Sequence, residues 1–81
     1  MTPEDYNEKA AKQDYRCAIC KKSQSEFLRR LAVNHNHETG QNRDLLCENC
    51  NPGLGQFQDS PELLRAAADY LETYANVPNS N

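Results

Sequence analysis

The chain has 81 residues, of which 37% are hydrophobic, and carries a net charge of -3 at pH 7. A chain this short makes one domain and buries little apolar surface, so a staple beyond ordinary packing is expected. The acidic balance argues against a protein that coats nucleic acid by bulk attraction, and no apolar run approaches the length of a membrane span.

Taken in order, Thr2-Pro3-Glu4-Asp5 opens like a helix, with Thr2 as N-cap, Pro3 at the first helical position and acids in the first turn. That helix is expected to reach about Gln13 and to depend on docking, because its apolar face is thin: Tyr6, Ala10 and Ala11. Asp14-Tyr15-Arg16 should then run extended into Cys17-Ala18-Ile19-Cys20, with Lys21-Lys22-Ser23 as a polar exit. Residues 26–33 fit neither a clean strand nor a clean helix. Leu31-Ala32-Val33-Asn34 is expected as a short strand ending at His35, residues 36–42 as a loop around Gly40, and Asp44-Leu45-Leu46 as a second strand leading into Cys47. The pair makes a hairpin whose loop carries His37, Glu38 and Thr39.

From Asn51 to Phe57, two glycines and Pro52 oppose a helix unless it starts near Asn51, which would leave the proline in a first turn. The last element is clearer. Asp59 or Ser60 caps, Pro61 takes the first helical position, and Leu63, Ala67, Tyr70, Leu71 and Tyr74 recur at helical spacing to about Tyr74 or Ala75. Packing into the core is the expected use of that stripe. Residues 76–81, with Pro78 and several asparagines, read as a frayed tail.

Four cysteines can supply the staple as one zinc site or as two disulfides. Zinc is favoured by the two residues inside each pair and the 26 between them, which match paired zinc knuckles. It is also favoured by the start of the chain, where no charged and apolar leader follows Met1, so a cytoplasmic rather than an oxidising setting is expected. Charge is unevenly spread. Residues 15–46 hold Arg16, Lys21, Lys22, Arg29, Arg30 and Arg43 against Glu26, Glu38 and Asp44, a balance of +3, whereas residues 47–81 hold Arg65 against Glu48, Asp59, Glu62, Asp69 and Glu72, a balance of -4. A basic middle is compatible with phosphate contact and equally with an ordinary solvated surface.

Between the knuckles stand the residues suited to chemistry. Histidine titrates near neutrality and serves as a general base, and side-chain oxygens suit a hard cation that thiolates do not. His35 is preceded by Asn34, and Asn51 directly follows the last cysteine, so two knuckles sharing one metal would let the three converge. By residue type alone, the histidines could equally be surface groups, and the asparagines turn or cap residues.

Val33-Asn34-His35-Asn36-His37-Glu38-Thr39-Gly40, then Arg43, then Leu45-Leu46-Cys47-Glu48-Asn49-Cys50-Asn51 and Leu54-Gly55, resemble the signature of the phage recombination endonuclease VII family, within the HNH or His-Me finger nucleases. The resemblance extends to the Thr-Pro-Glu-Asp-Tyr opening, the Cys-Ala-Ile-Cys knuckle and the Asp-Ser-Pro-Glu-Leu-Leu helix, and so covers nearly the whole chain. It implies a small α+β fold, a ββα-metal finger pinned by structural zinc on Cys17, Cys20, Cys47 and Cys50, with flanking N- and C-terminal helices. It also implies a single domain over 1–81: an N-terminal helix (1–14), the finger (15–57), a C-terminal helix (58–75) and a tail (76–81).

The implied activity is cleavage of DNA phosphodiesters, on branched or otherwise distorted DNA, by a phage protein in its host's cytoplasm; a homodimer is compatible. By position, the resemblance makes His35 the general base, Asn34 and Asn51 ligands of a catalytic magnesium or manganese ion, and His37 a contact either to phosphate or to the residues that hold the ion. A finger helix from about Glu48 through Gly55 is implied too, against propensity. Two positions depart from the family pattern: Asn34 stands where it has Asp, and Asp44 where it has Gly. With no carboxylate evident to bind the ion directly, unless Glu38 or Asp44 substitutes, two functions remain open. One is a metal-dependent endonuclease, weakened or inactive at position 34. The other is a zinc-stapled module that binds DNA or protein without cutting.

Overall fold

The computed structural model describes residues 1–75, and the expected tail at 76–81 lies outside them. The order of elements is α1 (Pro3–Lys12), a 3-10 turn (Gln24–Glu26), β1 (Ala32–His35), β2 (Asn42–Leu46), α2 (Cys50–Gln56) and α3 (Pro61–Ala75). The strands form a two-stranded antiparallel sheet, so the fold is small α+β.

Helix α1 begins as expected. The Thr2 hydroxyl accepts from the Asp5 N–H at 3.1 Å, Asp5 reaches back to the Thr2 N–H, and Pro3 needs no intrahelical partner. Ala10 is buried and Tyr6 half-buried, with its hydroxyl donating to the Leu31 carbonyl and the Arg30 guanidinium 4.6 Å above its ring. The link after the helix corrects the expectation of an extended approach. Asp14 and Tyr15 take φ of 57° and 55°, a left-handed turn, and the Tyr15 N–H donates back to the Ala10 carbonyl. That turn delivers Arg16 to a bridge with Ser23, closing the first knuckle.

Gln13, the residue that ends α1, has a role that its sequence position did not reveal. Its side chain accepts from the Leu45 N–H at 2.9 Å and donates to the Leu45 carbonyl at 3.0 Å and the Arg16 carbonyl at 2.8 Å. An amide group thereby serves as a short strand on the outer edge of β2, satisfying groups that β1 cannot reach.

The core consists of Ala10, Cys17, Leu31, Leu45, Leu46 and Cys47, with Tyr6, Phe27, Val33 and Leu54 packed against it. Two of its buried members are cysteines, which fits the need for a staple. Helix α3 is capped by the Ser60 hydroxyl, accepting from the Leu63 N–H at 3.1 Å, and spans the expected residues. The expected core role of its stripe is corrected. No residue of α3 is buried, and Leu63, Tyr70, Leu71 and Tyr74 are exposed, because α1, the strands and the knuckles already fill the small core.

Gln13→Ala should destabilise the domain by about 1–3 kcal/mol, the usual cost of an unpaired buried backbone group. Chemical denaturation of the zinc-loaded protein measures it, and an unchanged midpoint would show that water replaces the amide without loss.

Candidate active site and cysteine cluster

The hairpin and α2 are tied together at the cysteines. In the first knuckle the chain reverses through Lys21, at φ 65°, with the Cys17 N–H donating to the Lys22 carbonyl and the Ile19 N–H to the Cys17 sulfur at 3.4 Å. In the second, the Cys50 N–H donates to the Cys47 sulfur at 3.4 Å and the Asn51 N–H to the Cys47 carbonyl at 3.1 Å. All four sulfurs lie within 4.8 Å of one another and all four cysteines are free thiols, an arrangement that can hold a metal such as zinc.

Burial pushes the Cys17 thiol up, but hydrogen bonds to its sulfur overcome this and bring it to about 6, so it ionises first. Burial, then sharing of hydrogen bonds with Cys47 and Cys17 and repulsion from their charge, pushes Cys50 up to about 12. One thiolate thus makes the next harder to form, and a divalent cation is what allows all four to ionise together.

The second knuckle also sets where α2 begins. The helix starts at Cys50, two residues after the start implied by the resemblance, so Pro52 falls in the first turn, where no intrahelical N–H is needed. Asn51 is therefore fixed on the first turn of α2, directly behind a cluster cysteine.

Opposite it, β1 and β2 pair through Val33 with Leu45 and His35 with Asn42, which sets Arg43 and Asp44 together against Asn34. Such a bulge re-aims side chains. Asp44 is exposed, its carboxylate 3.2 Å from the Lys9 ammonium, whereas Arg43 turns in. The Arg43 Nε donates to Asn34 Oδ1 at 2.6 Å, and its Nη2 donates to the His35 carbonyl at 2.9 Å and to Asp59 Oδ2 at 3.0 Å. Asn34 is 7% exposed, and its Nδ2 donates to Asn51 Oδ1 at 2.9 Å.

The direction of these bonds is forced. A guanidinium only donates, so the oxygen of Asn34 must face Arg43, its NH2 must face Asn51, and Asn51 must present its oxygen. Asn51, Asn34, Arg43 and Asp59 form one continuous chain of hydrogen bonds.

His35 ends β1 and is exposed, and its carbonyl rather than its ring is what Arg43 holds. His37 lies in the hairpin loop, which Asn36 closes by accepting from the Glu38 and Thr39 N–H groups at 2.9 and 3.2 Å, with Gly40 at φ 77° completing the turn. With Glu38, Arg43 and Asp59, His37 lines a cleft of about 260 Å³ between the loop and the corner that joins α2 to α3. The structure thus brings Asn34 and Asn51 into direct contact and leaves His35 and His37 on the surface beside them. Among the described residues, the cysteine quartet is the one cluster of three or more histidine, cysteine or acidic side chains able to share a metal.

Sequence reasoning missed Asp59 as a site residue and took it for a possible helix cap. Gln58 and Asp59 both have positive φ, 57° and 55°, and the Asp59 N–H donates to the Leu54 carbonyl, so the corner after α2 aims Asp59 at Arg43. Arg43 itself carried a hint, since it stands two positions before buried Leu45 in a strand and needs a partner there.

The cysteine quartet thus pins a hairpin that carries Asn34 and His35 against a helix that carries Asn51. The chain belongs to the recombination endonuclease VII family, whose model matches residues 1–73. Among curated proteins, it is 42% identical over 72 residues to the Gene 59 protein of Mycobacterium phage D29, covering 88% of this chain and 43% of that protein. It is 38% identical, with the same coverage, to the Gene 59 protein of Mycobacterium phage L5. The chain therefore spans less than half the length of these relatives. No solved structure matches it. The family is described as that of recombination endonuclease VII.

Cys47→Ala should abolish zinc uptake and cooperative unfolding together, because metal binding and folding are linked in a domain with so small a core. Zinc content per chain and a thermal melt report both, and an undisturbed melt would refute the staple.

Proposed function

We propose that this domain is a DNA endonuclease of the HNH, or His-Me finger, type, stapled by zinc on Cys17, Cys20, Cys47 and Cys50, with its hydrolysis turned down by Asn34. The observation that supports the reading most is the contact of Asn34 with Asn51 beside exposed His35, in a chain of this family. His35 is the general base that takes a proton from the attacking water, and His37 contacts phosphate from the hairpin loop. The zinc supplies rigidity alone, since four thiolates leave no open position.

A catalytic magnesium or manganese ion would belong at the oxygens of residues 34 and 51, and the pair as built suits it poorly. Such ions favour charged, hard oxygens. Here both oxygens are neutral, one is taken by Arg43 and the other by the Asn34 amide. Glu38 lines the loop side of the cleft, and Asp44 is exposed and paired with Lys9. What this chain retains without an ion is base catalysis by His35, worth on the order of 10²–10⁴-fold.

The closed run of hydrogen bonds from Asn51 to Asp59 also favours a second reading, a zinc-stapled module that binds DNA or protein without cutting. On the first reading the partner is DNA, branched or distorted, and on the second it is DNA or protein; both place the chain in the host cytoplasm. Among the described residues, no helix is long and apolar enough to cross a membrane.

Two copies pair, on this reading, through α3. Leu63, Tyr70, Leu71 and Tyr74 share one side of the helix, and by helical spacing Glu62, Arg65, Asp69 and Glu72 fall on the other, so two such faces meet without opposed charges.

Asn34→Asp should raise plasmid nicking at least about tenfold with magnesium or manganese, equivalent to about 1.4 kcal/mol at the transition state, and His35→Ala in that background should remove the gain. A folded, zinc-loaded Asp variant that cuts nothing would defeat the nuclease reading and leave the binding module. Sedimentation should show a dimer that Leu71→Glu dissociates; identical masses for the two proteins would exclude pairing through α3.

A further inference from the structure

Arg43 is held on three of its N–H groups. The Nε hydrogen goes to Asn34, and the two on Nη2 go to the His35 carbonyl and Asp59. Among the described residues, no acceptor takes the two hydrogens on Nη1. The side chain keeps 36% of its surface, and it lines both the cleft beside His37 and a shallow depression of about 330 Å³ that contains Asn34. A guanidinium fixed in this way loses little further freedom on meeting an anion, and its free edge matches a phosphate.

Charge decides whether an anion can come. Asn34 and Asn51 are neutral, so Arg43 and Asp59 together sum to zero. With aspartate at position 34 the same group would sum to -1 and would repel a phosphodiester unless a cation intervened. The buried amide of Asn34 also fills the space between Asn51 and Arg43 with hydrogen bonds that ask for no ion.

We propose that Arg43 is a phosphodiester-binding residue of this chain, and that Asn34 makes that binding independent of a divalent cation by keeping Arg43 and its hydrogen-bonded partners neutral rather than negative. The proposal rests on DNA being the partner. It separates contact with DNA from catalysis: the chain holds a strand beside His35 whether or not magnesium is present.

The test is fluorescence anisotropy of a labelled DNA duplex and a labelled four-way DNA junction with the zinc-loaded full chain, in magnesium-free buffer and in millimolar magnesium. The parent chain should bind within about twofold equally in the two buffers. Arg43→Gln should weaken binding about tenfold in both and lower the slope of log affinity against log salt by about one, the mark of one lost phosphate contact, which a merely structural residue would not produce. Asn34→Asp, which keeps the side-chain volume, should lose about tenfold without magnesium and recover with it, and this holds as a test even if Arg43→Gln folds poorly. A parent chain that binds only with magnesium, or a folded Arg43→Gln with unchanged affinity and salt slope, overturns the proposal while leaving the nuclease reading standing. Failure of the parent to bind either DNA in both buffers overturns the DNA reading itself, and the proposal with it.

Discussion

The cluster of Cys17, Cys20, Cys47 and Cys50 holds both ends of the segment that carries Asn34 and His35, and the start of the helix that carries Asn51. Apolar packing alone would hold that segment weakly, because the buried apolar side chains other than cysteine come from Ala10, Leu31, Leu45 and Leu46. A metal shared by four thiolates would replace missing core area with a few strong, directional bonds, and it would make the position of Asn51 a consequence of metal binding. Gln13 completes the frame from outside by pairing with the free edge of β2.

Within that frame, the chemistry of position 34 turns on the difference between donors and acceptors. An amide presents one face of each kind, and Arg43 and Asn51 each take the face that suits them. A carboxylate there would present two acceptors, one toward Arg43 and one toward the Asn51 oxygen, and opposed oxygens call for a cation or a rotated amide. The exchange of one oxygen for one NH2 therefore changes what the two neighbours of position 34 can bond to. It also leaves both faces of residue 34 bonded, and the structure holds no buried side-chain polar atom without a partner among the described residues.

Most of the elements could be read from residue types, for local reasons. Thr2 with Asp5 and Ser60 with Pro61 specify helix starts within a few residues, and the Cys-x-x-Cys spacings and the Asn36 to Gly40 loop are equally local. Helix α2 was opposed by propensity and was expected only through the family resemblance; its propensity cost is borne by the knuckle, which fixes its first turn. What escaped were interactions set by distant partners. Gln13 to Leu45 and Arg43 to Asp59 leave no periodic trace in a sequence. The left-handed turn at Asp14 and Tyr15 is unfavourable for such residues and persists because the Ala10 carbonyl and the bridge at Arg16 hold it. The stripe on α3 was legible as a stripe, but whether it meets a core depends on how much core remains to be filled.

The two departures from the family pattern show why position outweighs residue type. Asp44 introduces a charge where the pattern has glycine, yet the bulge directs it outward, and its pairing with Lys9 at 34% and 65% side-chain exposure contributes at most about 1 kcal/mol. Asn34 removes a charge at a site that is 7% exposed and bonded on both faces. There the medium screens little, so the missing charge acts on Arg43 and on any ion directly. The smaller change in side-chain chemistry, one oxygen for one nitrogen, is thus the one with the larger local electrostatic effect, because it falls where water does not dilute it.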